Sequence, residues 1–181
     1  MYCKIDIVII ILFSLAILFS IRYPNWYFGR QFKKASKKLE NIKSNPYMNG
    51  NYAAVQDEIF ETDLKVKGKI PDDLLGVYMR NGPNPQFHPI SYTYPIDGDG
   101  MIHAVYLREG KASYRNRFIE TKGLLAERRA GKALYGGISN IVMPDPKLIG
   151  KNGDKGPTKN GAFVHVIRHA KQYIALMETS T

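Results

Sequence analysis

The 181 residues are enough for one ordinary domain, or for a membrane anchor joined to part of a larger one. A hydrophobic share of 44% and a charged share of 23% are those of a globular protein, and the lone Cys3 excludes an internal disulfide. Net charge is +10, yet residues 1–43 carry eight of the 26 Lys/Arg against two of the 16 acids. The basicity belongs to the N-terminal arm, where it points to anionic lipid rather than to nucleic acid held by the folded part.

The run from Ile7 to Ile21 contains no charge. Fifteen helical residues span only ~22 Å, short of the ~30 Å hydrocarbon core of a bilayer. Counting from Ile5 through Phe28 adds Tyr23, Trp26, Tyr27 and Phe28, aromatics suited to a membrane interface. No small-x-small cleavage site follows, so the segment predicts an uncleaved single-pass anchor rather than a signal peptide. Arg22, Arg30, Lys33, Lys34, Lys37, Lys38 and Lys43 come after it, which places the C-terminal, globular side in the cytosol.

Residues 44–53 form a turn-rich linker. Beyond it the pattern is of short strands between turns. Strands are expected at Leu64 to Val66, Gly76 to Arg80, Met101 to Leu107 and Ala112 to Ile119, the last two joined by a hairpin turn at Glu109 and Gly110. Lys122 to Leu134, rich in Leu, Ala, Glu, Arg and Lys, predicts a helix. Residues 151–161 are a loop, and Ala162 to Arg168 with Gln172 to Glu178 make a second hairpin, turning at residues 169–171. Repeated hairpins at this spacing predict an all-β fold: propeller, barrel or sandwich. The apolar final hairpin, followed directly by Thr181, reads as a chain cut in mid-domain.

Residues 97–100, Asp-Gly-Asp-Gly, begin like a calcium loop but lack its later ligands. The glycine-rich loops lack the Gly-Lys-Ser/Thr ending of a phosphate loop. Four histidines, His88, His103, His165 and His169, could suggest a metal site. His165 and His169, four apart on one strand, lie ~13 Å from each other, too far to share a metal at ~2 Å bonds. They are read as structural histidines.

The segments GVYMRNGPNPQF, DGDGMIHAVYL, SYRNRFIET and ERRAGKALYGG, in this order and spacing, resemble the N-terminal third of the carotenoid cleavage oxygenase family. The bacterial carotenoid and lignostilbene dioxygenase branch is the nearest. The resemblance runs from about Asn51 to Thr179, and it departs at residues 159–163, where an Asn-Thr-Ala-Asn-Thr-like stretch is usual. It implies a seven-bladed β-propeller holding one Fe(II) by four histidines, which with O2 cleaves a carbon–carbon double bond of a carotenoid, apocarotenoid or stilbene. It also implies that His103 is a strand residue and no ligand, and that the first ligand belongs to an Ala-His-Pro-type motif beyond Thr181. Glu178 then stands where the family places a glutamate that accepts a hydrogen bond from a ligand histidine, fixing its tautomer and direction.

The expected organisation is a membrane anchor helix over 1–28, a basic juxtamembrane arm and linker over 29–50, and a partial, truncated propeller over 51–181. This chain alone is expected to bind no iron and to lack catalytic residues. The complete protein would be an Fe(II)-dependent dioxygenase acting on a lipophilic polyene or stilbene at the bilayer. The alternative is a non-catalytic, truncated, membrane-bound β protein. No nucleic-acid partner is expected.

Overall fold

The computed structural model of the protein describes residues 9, 11–20, 22, 23, 26, 27, 30, 45–91, 93, 96–138 and 141–178. Two antiparallel sheets carry the globular part. The first has four strands in the order β1-β4-β3-β2, formed by Phe60–Glu61 (β1), Gly76–Pro83 (β2), Gly100–Arg108 (β3) and Lys111–Phe118 (β4). The second pairs His165–His169 (β5) with Gln172–Leu176 (β6). Between the sheets the chain forms helix α1, Lys122–Ala130, and a single turn, α2, Pro146–Ile149.

Each element follows from local chemistry. The β3–β4 turn places Glu109 at φ 52° and Gly110 at φ 70°, both left-handed, which matches the twist of the flanking strands. Helix α1 begins at Thr121, whose Oγ1 accepts the Leu124 N–H at 3.2 Å. It stops at Gly131, which turns left-handed at φ 66°. The helix expected to reach Leu134 therefore ends four residues earlier, because Gly131 stops it and Leu134 is drawn into the core. The strand expected at Leu64 to Val66 is absent: outer pairing to β4 is made by Phe60 and Glu61, opposite Arg115 and Tyr114. Residues 45–53, expected as linker, form two 3-10 turns, Pro46–Met48 and Gly50–Tyr52.

Met101, Phe118 and Leu124 join sheet to helix, with Phe87 packed against them. Ala126, Leu134, Tyr135 and Ile149 form a second cluster under α1 and α2. Above Met101, which is fully buried, residues 55–59 lie as a strap across the sheet. Two asparagines hold it. The Asn84 amide exchanges both hydrogen bonds with the Val55 peptide, each at 2.7 Å. Asn116 accepts from Ile59 N at 2.6 Å and donates to Asp57 O at 2.9 Å. Both amides also point at Met101 Sδ, at 3.4 and 3.5 Å.

The two sheets meet at β2 and β5. Asn81 Nδ2 donates to the carbonyls of Ala162 at 2.7 Å and His165 at 3.2 Å. Gly100 N donates to Gly161 O at 2.6 Å, a distance at which a Cβ on either glycine would collide with backbone of the other segment.

Residues 11–20 are helical, and Ile11, Leu12, Phe13, Leu15, Ile17, Leu18 and Phe19 are all exposed. Among the described residues no helix is long and apolar enough to cross a membrane. The expected spanning helix over 5–28 is thus not found; residues 5–8, 10, 21, 24, 25 and 28 lie outside the described residues, as does most of the basic arm, 31–44.

Asn116→Ala should lower the unfolding free energy of the chain by ~2 kcal/mol, since it removes two hydrogen bonds that hold the strap and truncates a buried side chain beside Met101. Urea unfolding followed by circular dichroism measures this; a loss below ~0.5 kcal/mol would show that the strap is not held by Asn116.

Candidate functional site

The most concentrated charge chemistry in the globular part is a buried trio that sequence reasoning did not single out. Lys159, from the loop before β5, places Nζ 2.6 Å from Asp99 Oδ1 and 2.5 Å from Glu127 Oε2. Asp99 and Glu127 are each 1% exposed, so water contributes little to holding these charges. The Asp99 contact lacks hydrogen-bond geometry and acts as charge attraction, whereas Lys159 donates a true hydrogen bond to Glu127. The remaining carboxylate oxygens serve the backbone. Asp99 Oδ2 accepts from Gln86 N at 3.1 Å, and Glu127 Oε1 accepts from Leu134 N at 2.9 Å.

Burial alone would lower the Lys159 pKa, but Asp99 and Glu127 outweigh it and hold the ammonium above its ordinary value. Burial pushes Glu127 up, Asp99 adds to the push, and Lys159 and the Leu134 N–H offset it only in part. Nearby Tyr135, whose hydroxyl donates to Asp154 O at 3.0 Å, is pushed up to about 12 by burial and then by the charges of Asp154 and Glu127.

Beside the trio lies a cavity of about 80 Å³, with Phe87, Ile96, Tyr135, Phe163 and Met177 in its lining. Such a volume holds a few waters and no polyene. Asp97 closes its rim by accepting from Thr93 N at 2.8 Å and Ile138 N at 3.0 Å. The Asp-Gly-Asp-Gly stretch is therefore occupied with backbone and lysine partners.

The histidines are scattered. His88 is exposed in a loop, and His165 and His169 are exposed at the two ends of β5. His103 sits on β3, opposite Arg80 and Asn116, with Nδ1 2.6 Å from the Tyr114 hydroxyl. Burial, then the Arg80 charge, lowers its pKa. Among the described residues no group of three or more His, Cys, Asp or Glu is placed to hold a metal ion. An iron centre therefore does not fit the residues described. Glu178 is exposed two residues past the end of β6, next to Met177, whose Sδ takes the Gly161 N–H at 3.1 Å.

The retinal pigment epithelial membrane protein family matches residues 52–181. A carotenoid cleavage oxygenase of Mycobacterium tuberculosis is 40% identical over 137 residues, 74% of this chain and 24% of its own length. A carotenoid 9,10(9',10')-cleavage dioxygenase 1 of Phaseolus vulgaris is 41% identical over 95 residues, 52% of this chain and 18% of its own. Among solved structures, the Pseudomonas brassicacearum lignostilbene dioxygenase superposes with a TM-score of 0.63 at 30% identity, covering 74% of this chain and 27% of that one. The chain belongs to the carotenoid cleavage oxygenase family and spans about a quarter or less of the length of these relatives.

Lys159→Met should destabilise the protein by ~3–5 kcal/mol, because two buried carboxylates lose their only counter-charge in the trio. Glu127, already raised by burial, then loses the charge that offsets that push and titrates higher still in the folded state. A raised carboxyl pKa gives stability that is present at low pH and lost as pH rises, so the deficit against wild type should shrink as pH falls towards the ordinary carboxylate range. Melting temperatures of both proteins from pH 4 to 8 measure this (about one buffer per pH unit). A deficit independent of pH would rule out the assigned charge balance.

Proposed function

We propose that this chain is the N-terminal part of an enzyme that oxidatively cleaves a carbon–carbon double bond in a carotenoid, apocarotenoid or stilbene. The observation that carries this is the 40% identity over 137 residues to a carotenoid cleavage oxygenase, joined to the superposition on a lignostilbene dioxygenase. The four-stranded sheet is taken as one propeller blade, with β2 innermost, and β5–β6 as the start of the next. The seven-bladed closure and the four-histidine Fe(II) site then belong to the remainder of the family fold. Iron would supply activation of O2 in the whole protein.

Within that assembly the part of residues 51–178 is scaffolding. Asn81 and the Gly100–Gly161 contact hold the inner strands together, and Lys159 locks the loop that leads into β5 and β6. Glu178, at the end of β6, is proposed to accept the outer N–H of a ligand histidine and so set its direction. The exposed apolar segment 11–20 and its basic sequel are proposed to attach the enzyme to a bilayer, with the globular part on the cytosolic side, where a lipophilic substrate is concentrated.

Purified 1–181 should retain no stoichiometric iron and leave an apocarotenoid unchanged, whereas the chain extended by the remaining family fold should retain iron and cleave the apocarotenoid. In the extended form Glu178→Gln should keep the fold and lower iron retention or turnover about 10–100-fold. Metal analysis of the folded protein and product chromatography measure these. Stoichiometric iron in 1–181 would overturn the division of labour, and an unaffected Glu178→Gln enzyme would remove Glu178 from the site.

A further inference from the structure

The apolar helical segment ends in a band of rings and guanidinium groups. Phe19 and Tyr23 stack with centroids 5.1 Å apart, and Tyr23 lies 5.9 Å from Trp26 and 6.2 Å from Tyr27. The Arg30 guanidinium sits over the Trp26 ring, 5.0 Å from its centroid. Arg22 lines a surface cleft with Phe19, Tyr23 and Trp26. Arg22, Trp26 and Arg30 are thus spaced four apart, and Trp26 is 55% exposed, so the rings are not buried in the globular core.

Charge sets the partner. From residue 7 to residue 39 the sequence contains no Asp or Glu, while it contains Arg22 and Arg30 followed by Lys33, Lys34, Lys37 and Lys38. The two arginines therefore have no acidic side chain in their own segment. A guanidinium offers a planar fork of N–H donors that matches a phosphate oxygen pair, and an indole ring prefers the depth at which headgroup meets acyl chain. A neutral protein surface would satisfy the rings and leave the arginines without a counter-charge. A bilayer surface bearing anionic phosphates satisfies both at once.

We propose that Arg22, Trp26 and Arg30 form an interfacial site for anionic phospholipid headgroups. The two guanidiniums clamp phosphate on either side of an indole seated at the acyl boundary. This rests on the reading that the N-terminal segment enters a bilayer, and it adds that the attachment discriminates between lipids by headgroup charge. The enzyme would then be enriched on anionic membranes, independently of the substrate carried there.

Trp26 is the only tryptophan, so its fluorescence reports this site directly in the full chain. The protein is titrated with vesicles of phosphatidylcholine alone and of phosphatidylcholine mixed with phosphatidylglycerol, and the lipid concentration at half-maximal blue shift is read. Wild type should bind both and require less of the anionic mixture, with the difference reduced by salt. Removing each guanidinium should raise the lipid needed on anionic vesicles about fivefold, and R22Q/R30Q about twenty-five-fold, with neutral vesicles unaffected. Equal binding of wild type to both vesicle types overturns the proposal while leaving attachment intact. So does R22Q/R30Q that keeps the preference, which would assign it to the lysines. No blue shift on either vesicle overturns attachment itself, and the headgroup site with it.

Discussion

Lys159 is the residue on which the arrangement of the globular part depends. One buried ammonium faces a carboxylate at the start of β3 and another in the middle of α1, and neither can be left alone in so little water. The trio therefore brings sheet, helix and the loop before β5 to one point. Each carboxylate then uses its second oxygen to fix a further backbone segment, Gln86 for Asp99 and Leu134 for Glu127. Lys159 and Glu127 also line the small cavity beside the trio.

Much of the sheet was legible from residues that act locally. Turn chemistry at Glu109 and Gly110 and the alternation on either side located β3 and β4 to within a residue. Gly131 was a visible stop signal for α1, and reading through it overextended the helix. The weak places were those decided by distant partners. Leu64 to Val66 alternates, yet it forms no strand: Leu64 N donates to Ala112 O of β4 at 3.0 Å, and the ladder itself is made by Phe60 and Glu61, which the strap delivers there.

The trio was illegible for a related reason. Asp97 to Gly100 carried a signal, an acidic turn, but its chemistry is completed by a lysine some sixty residues later and a glutamate on a helix between them. A polar residue in an otherwise apolar helical face was the available clue at Glu127. Lys159 lies in a glycine-rich loop and showed none. Glu178 was reached by resemblance alone, and at the end of β6 its surroundings are exposed.

The asparagine-held strap also determines how the domain yields to force. A pull from the N-terminal side meets the Val55 peptide on Asn84 first, then Asp57 and Ile59 on Asn116, and only afterwards the two-residue ladder of β1. The bonds are loaded one after another, so the strap peels rather than shears. Slack is therefore released at Asn84 before tension reaches Asn116, so one of the two amides over Met101 stays in place after the other has let go, and the strap acts as a mechanical fuse ahead of the core.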